Sequence, residues 1–358
     1  MAMRRRLPTF FVIFIVAIFA CHNQSFASDK WHVRGYPAVL SQHVEFSNAG
    51  AILSGTLYRP DVSYAVPAIV VLHGAEVPRA DADLYTHLRE GVTAMGMAVL
   101  IFDRRGSGQS TGSMDNISYE TLADDGIAGA RAISVFPFID AAHIGYWGLS
   151  QGGWLTILAA DRDSRAAFAI SVSAPLVTPE QQMEFAMSNR LQLLGYSPSD
   201  VSAMLAARSA WTGYLRGSIP RADAVAALRA IDHKPWFDLM YMPSASELTP
   251  DPAKSSWRKE MDDDPFTAVQ SAKVPILLIY GGADPWIPVS QTIQRLKTLA
   301  STHAGITYAI IAEANHTMMF VPKETMDANP KALQTAAPQA PAYFMLMSSW
   351  LGRHGFTR

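Results

Sequence analysis

Short apolar runs alternate with amphipathic stretches along most of this chain. Uncharged runs at 68–72, 98–102, 144–149 and 276–280 predict buried strands, and those at 168–172 and 306–311 two more strands. Between them, apolar residues recur at helical spacing over 81–95, 119–135, 152–160 and 289–299; in the first stretch Leu84, Leu88 and Val92 share one face. Segments 44–46 and 51–58 predict an opening antiparallel strand pair, and 343–351 a terminal amphipathic helix. Strands alternating with helices give an α/β class, with a mostly parallel sheet flanked by helices.

The rhythm breaks over 176–272. No strand pattern occurs there, several helical ones do, and large apolar residues are frequent, among them Met183, Trp211, Trp236, Phe237, Met240 and Trp257. This segment reads as a helical lid inserted between two sheet neighbours, so that 28–175 and 273–358 form the two parts of one core. Most of its aromatics are expected to pack the lid, and a minority to line a pocket. Asp262, Asp263 and Asp264 precede Pro265 and read as a turn or helix cap, not a metal site.

The first residues follow a different logic. Arg4, Arg5 and Arg6 precede an unbroken apolar run at 10–20, too short for a membrane-spanning helix, which needs about 20 residues. Ser25-Phe26-Ala27 then supplies a small-x-small site. Residues 1–27 therefore read as a signal peptide, and the protein as exported to a periplasmic or extracellular space with no membrane span left. Cys21, the single cysteine, permits a second reading as the acylated residue of a lipoprotein. Cleavage after Ala27 removes it, and with it any thiol nucleophile or disulfide.

Composition narrows the function classes. With 49% hydrophobic residues, 17% charged residues and a net charge of -2, the chain is neither disordered nor built for nucleic acid. No phosphate-loop, zinc-protease or ligand-spaced His/Asp motif is present, and the glycine-rich stretch 106–112 has Thr111 where a dinucleotide fingerprint needs glycine. No cofactor is expected, and the partner implied is a small molecule.

Gly148-Leu149-Ser150-Gln151-Gly152 stands between a predicted strand and a predicted helix. A G-x-S-x-G run in that setting is a nucleophile elbow: the sharp turn lifts a serine hydroxyl clear of the sheet, and its flanking glycines avoid collision. A serine needs a base. His316 follows the last strand, and Asp284 follows the strand 276–280, so Ser150, Asp284 and His316 occur in the chain order of one common triad arrangement. Two backbone N–H groups should hold the oxyanion, those of Gln151 and of Ala75 in the loop after 68–72. Asp103 also ends a strand and reads as the organiser of loop 104–108.

His73-Gly74, the run from Asp103 to Gly112, the serine turn, Asp284 and His316 together resemble the α/β-hydrolase superfamily across nearly the whole mature chain. The D-R-R-G-x-G-x-S-x-G stretch is similar to that of bacterial lidded esterases and serine-aminopeptidase-like hydrolases, and also to dienelactone-hydrolase-like proteins, which usually carry cysteine where this chain has Ser150. The resemblance implies an eight-stranded sheet and acyl-transfer hydrolysis. Three readings follow: a serine carboxylesterase; an aminopeptidase or amidase on the same triad, with Glu180, Glu184 or Glu247 binding a free amine; or a non-catalytic binding protein.

Overall fold

The computed structural model describes residues 36–75, 79–115, 117–300, 303, 305–320 and 339–357. The expected signal peptide and Cys21 lie outside them.

Eight strands form one sheet: β1 (Val39–Asn48), β2 (Ala51–Pro60), β3 (Val66–Leu72), β4 (Ala98–Phe102), β5 (Ile139–Leu149), β6 (Ala169–Val172), β7 (Ile276–Gly281) and β8 (Ile306–Ile311). Their order is β1-β2-β4-β3-β5-β6-β7-β8. β2 pairs antiparallel with β1 and with β4, and the remaining neighbours are parallel. The expected opening pair is present, but β1 is longer than 44–46. As an edge strand it shows solvent one face, so Ser41, His43 and Glu45 interrupt its apolar pattern.

Side chains leave the sheet with period two. Ala68, Val70 and Leu72 join a core with residues of α1 (Tyr119–Ile133), α2 (Gln151–Arg162) and a later helix, Val289–Ala300. Ile69 and Val71 face the other way, toward Tyr85, Leu88, Val92 and the terminal helix Pro341–Arg353. The stretch expected as a regular helix over 81–95 is wound differently. A 3-10 turn, Asp83–Tyr85, leads into a π-helical stretch, His87–Val92. Local side-chain bonds compete with regular winding there: Arg89 donates to the Ala82 carbonyl and Thr86 Oγ1, and His87 Nδ1 lies 2.9 Å from the Leu84 carbonyl.

Between β6 and β7 lie α3 (Pro179–Leu193), α4 (Pro198–Arg216), α5 (Arg221–Arg229), α6 (Ser256–Glu260) and α7 (Phe266–Ser271). Capping boxes at Thr178 and Ser197, each followed by proline, start α3 and α4. This insertion has its own core, with Met187, Trp236 and Met240 fully buried and Trp211 beside it in a second cluster. Its end returns to the body, since Val269 of α7 is buried in the cluster shared with α1 and α2. Asp264 accepts from the Phe266 N–H and so turns the chain into α7. Among the described residues the helices α8 (Val289–Ala300) and α9 (Pro341–Arg353) follow. Among the described residues no helix is long and apolar enough to cross a membrane.

Candidate active site

Parallel strands bring their following loops to one edge of the sheet, and the expected site residues follow β3, β5, β7 and β8. β5 ends at Leu149, and Ser150 takes φ 58° and ψ −123° before α2 begins. A non-glycine residue rarely adopts that geometry, and this one is pinned from both sides. Its N–H donates to the Val172 carbonyl at 2.8 Å, and its carbonyl accepts from Gly153 N–H at 2.8 Å. The turn leaves no room for side chains on its flanks. A Cβ on Gly148 would lie 2.0 Å from the Gly152 carbonyl oxygen, and one on Gly152 would lie 2.1 Å from the Leu72 carbonyl oxygen.

Asp284, in the loop after β7, has a fully buried side chain and lies 2.8 Å from His316 Nδ1 through Oδ2. Its Oδ1 accepts from the Trp286 N–H at 2.8 Å, so the carboxylate also shapes its own loop. A carboxylate has no proton to give, so Nδ1 carries the imidazole proton and Nε2 keeps a lone pair. The His316 loop is built by its neighbour. Asn315 is buried, and its Oδ1 accepts from the Thr317 and Met319 N–H groups at 3.0 and 2.9 Å. Asp284 and His316 are thus in direct contact, while Ser150 reaches the same edge from its own strand.

Gln151 is the first residue of α2, so its N–H has no intrahelical partner. Gly74 passes close to the serine turn: a Cβ there would sit 3.1 Å from the Leu149 carbonyl oxygen and 3.8 Å from Ser150 Cβ. Ala75 follows it and is exposed. His73 serves the fold; it is buried between the Tyr85 hydroxyl, at 2.7 Å from Nδ1, and the Phe102 carbonyl. Asp103 Oδ2 accepts from the Gln109 N–H and Oδ1 from the Ala80 N–H, which fixes the loop after β4. Arg105 turns inward to a buried ion pair with Asp125.

Three groups near this edge had no role in the sequence reading. Arg104 donates to the Gly74 carbonyl and to Gln151 Oε1. Burial pushes the Tyr119 hydroxyl up in pKa, Gln151 and Glu260 of α6 act on it, and burial raises the Glu260 carboxyl as well. From α3, Gln182 and Asn189 donate to the Trp286 and Pro285 carbonyls, in the loop that carries Asp284. The D-R-R run flagged Arg104 as part of a motif; nothing in the spacing marks Glu260 or Gln182.

The family model of the alpha/beta hydrolases matches residues 69–328, most of the chain. The chain belongs to the alpha/beta hydrolase family. This alpha/beta hydrolase is 29% identical over 196 residues to the quorum-quenching protein AidA of Acinetobacter baumannii, a match covering 48% of this chain and 63% of that one. It is 32% identical over 160 residues to the polyketide transferase grgF of a Penicillium species, covering 42% and 53%. The chain therefore spans less than two thirds of either relative. In fold it is similar to the esterase Pf2001 of Pyrococcus furiosus, with a TM-score of 0.57 at 15% identity over 89% of this chain and 92% of that one.

Proposed function

We propose that this alpha/beta hydrolase is a serine hydrolase that cleaves carboxylic esters of small molecules. The observation that carries the reading is the 2.8 Å Asp284–His316 contact at the sheet edge where Ser150 occupies a left-handed turn. In the proposed reaction Ser150 Oγ adds to the ester carbonyl carbon while His316 Nε2 takes its proton. The carbonyl π electrons move to oxygen, and the N–H groups of Gln151 and Ala75 hold that oxygen. The tetrahedral carbon then expels the alkoxide, which leaves as alcohol with the His316 proton. Water, activated by the same histidine, releases the acid from Ser150.

The names of relatives support acyl chemistry in general. A further match, 24% identical over 266 residues, is the thiohydrolase aneE of Aspergillus aculeatus, so thioesters belong in the substrate panel. The aminopeptidase reading has less support. Glu180 is buried in an ion pair with Arg208, and Glu247 closes a local turn at Ser244. Two of the three carboxylates offered for a substrate amine are engaged elsewhere.

The insertion 176–272 is proposed as a lid over this site, supported by the α3 bonds to residues 285 and 286. Residues 1–27 support export; mass spectrometry of the mature chain should find it starting after Ala27, and an acylated Cys21 would replace export in soluble form by a lipid anchor.

The experiment is a panel of short- and medium-chain esters and thioesters against wild type and Ser150→Ala. Loss of one triad member should lower kcat by about 10⁴-fold or more, with the melting temperature retained. A Ser150→Ala protein that keeps wild-type turnover removes Ser150 as the nucleophile.

A further inference from the structure

The side chain of Arg104 is almost wholly buried at the carboxyl edge of the sheet. Among the described residues it forms no ion pair; Glu260 and Asp125 act on it only at longer range. Its hydrogen bonds go instead to two neutral oxygens. Nη1 donates to the Gly74 carbonyl at 3.2 Å, and Nη2 to Gln151 Oε1 at 2.5 Å. Burying a cation without a carboxylate is costly, so its placement calls for an explanation.

We propose that Arg104 is a positioning residue that fixes both backbone donors of the oxyanion hole relative to each other, an inference that rests on the serine-hydrolase reading above. The Gly74 carbonyl and the Ala75 N–H belong to one trans peptide and point in opposite directions. A bond that holds the carbonyl therefore aims the N–H. A peptide whose carbonyl accepts a charged donor is also polarised, which strengthens its N–H as a donor. The second arm of the fork holds the side chain of Gln151, the residue whose N–H is the other donor. The guanidinium is planar and rigid, so the spacing between its arms sets the spacing between the two loops; an ammonium group cannot span both with the same geometry. Negative charge forming on the substrate oxygen adds to the distant carboxylates in offsetting the charge of Arg104, and it does so at the transition state, where the stabilisation accelerates the reaction.

The test uses the full-length enzyme, 4-nitrophenyl butyrate, and a trifluoromethyl ketone with the same acyl chain. Ser150 Oγ adds to that ketone, the proton passes to His316, and the carbonyl electron pair becomes a stable oxyanion. Arg104→Ala should lower kcat about ten- to hundredfold and weaken the ketone by a similar factor, with KM within about twofold. Arg104→Lys should recover only part of the loss, and millimolar free guanidinium should raise kcat of Arg104→Ala. A merely structural role predicts lower melting temperature with kcat per folded molecule and ketone affinity unchanged, and that result overturns the proposal. So does a rise in KM alone. Should Arg104→Ala not accumulate as folded protein, Gln151→Met decides: it removes one anchor and keeps the backbone N–H, and ketone affinity within about twofold of wild type overturns the proposal. Wild type that hydrolyses no ester and shows no fluorophosphonate labelling at Ser150 overturns the serine-hydrolase reading itself, and this inference falls with it.

Discussion

Asp284 spends its two oxygens on different tasks, and a single-atom exchange separates them. Oδ1 holds the Trp286 N–H and Oδ2 holds His316. In Asp284→Asn the amide oxygen can stay with Trp286, which leaves the amide NH₂ facing His316 Nδ1. That donor drives the imidazole proton to Nε2, the position that must be free to accept from serine. Asp284→Asn should therefore lose about 10⁴-fold in kcat on the best ester while its melting temperature stays near wild type. Steady-state kinetics beside a thermal melt check this; a loss under tenfold would place the tautomer under other control. The Asn315 bonds to residues 317 and 319 serve the same end from the other side, since they set the loop from which His316 projects.

The elements differ in how plainly the amino-acid sequence announced them. β3, β4, β6 and β7 are buried on both faces, so their runs are uncharged and almost wholly apolar, Ser171 of β6 being the polar exception. β5 was legible only from residue 144, because Asp140 and His143 lie in its exposed first half. The loops that carry Ser150, Asp284 and His316 were legible because each follows an apolar strand, buried for β5 and β7 and half-exposed at the sheet edge for β8. Arg104 was not, because its partners lie 30 and 47 residues away and hydrogen bonds over such distances leave no periodic trace. The π-helical stretch hid a further device. Trp147 Nε1 donates to the Tyr343 hydroxyl at 2.9 Å, and that hydroxyl lies 3.1 Å from His87 Nε2. The chain is consistent with a neutral imidazole that accepts at Nε2 and donates from Nδ1 to Leu84, and burial pushes His87 down to about 4. Unfolded, the same group titrates near 6.5. The unfolded chain thus binds the extra proton first as pH falls, so this term is fully present above 6.5, is lost between 6.5 and about 4, and is constant below. Denaturation midpoints across that window should fall more steeply for wild type than for His87→Gln. Equal slopes would show that the imidazole is solvated in the folded protein.

At the scale of the whole molecule, the insertion is a second core fastened to the sheet's edge at points that bear on the site. α3 is central to both tasks. Gln182 and Asn189 hold the carbonyls at 286 and 285, Arg190 lies over the Trp286 ring at 5.3 Å, and Glu180 pairs with Arg208 of α4 at 2.8 Å. That ion pair is buried, Trp257 Nε1 donates to it, and Arg208 Nη1 has no hydrogen-bond partner among the described residues. Glu180→Ala leaves a buried guanidinium without its carboxylate, a loss of about 3–5 kcal/mol. The strain falls on α3 and α4, so the insertion should loosen before the sheet does. Because α3 also steadies the loop that carries Asp284, kcat should drop together with insertion stability. Limited proteolysis should cut Glu180→Ala within 176–272 while the sheet and its flanking helices stay intact, and the extent of cutting should track the loss of ester turnover at each temperature. Cleavage spread evenly over the chain, or full turnover in a protein already nicked within the insertion, would separate the insertion from the acid loop and leave α3 a purely local role.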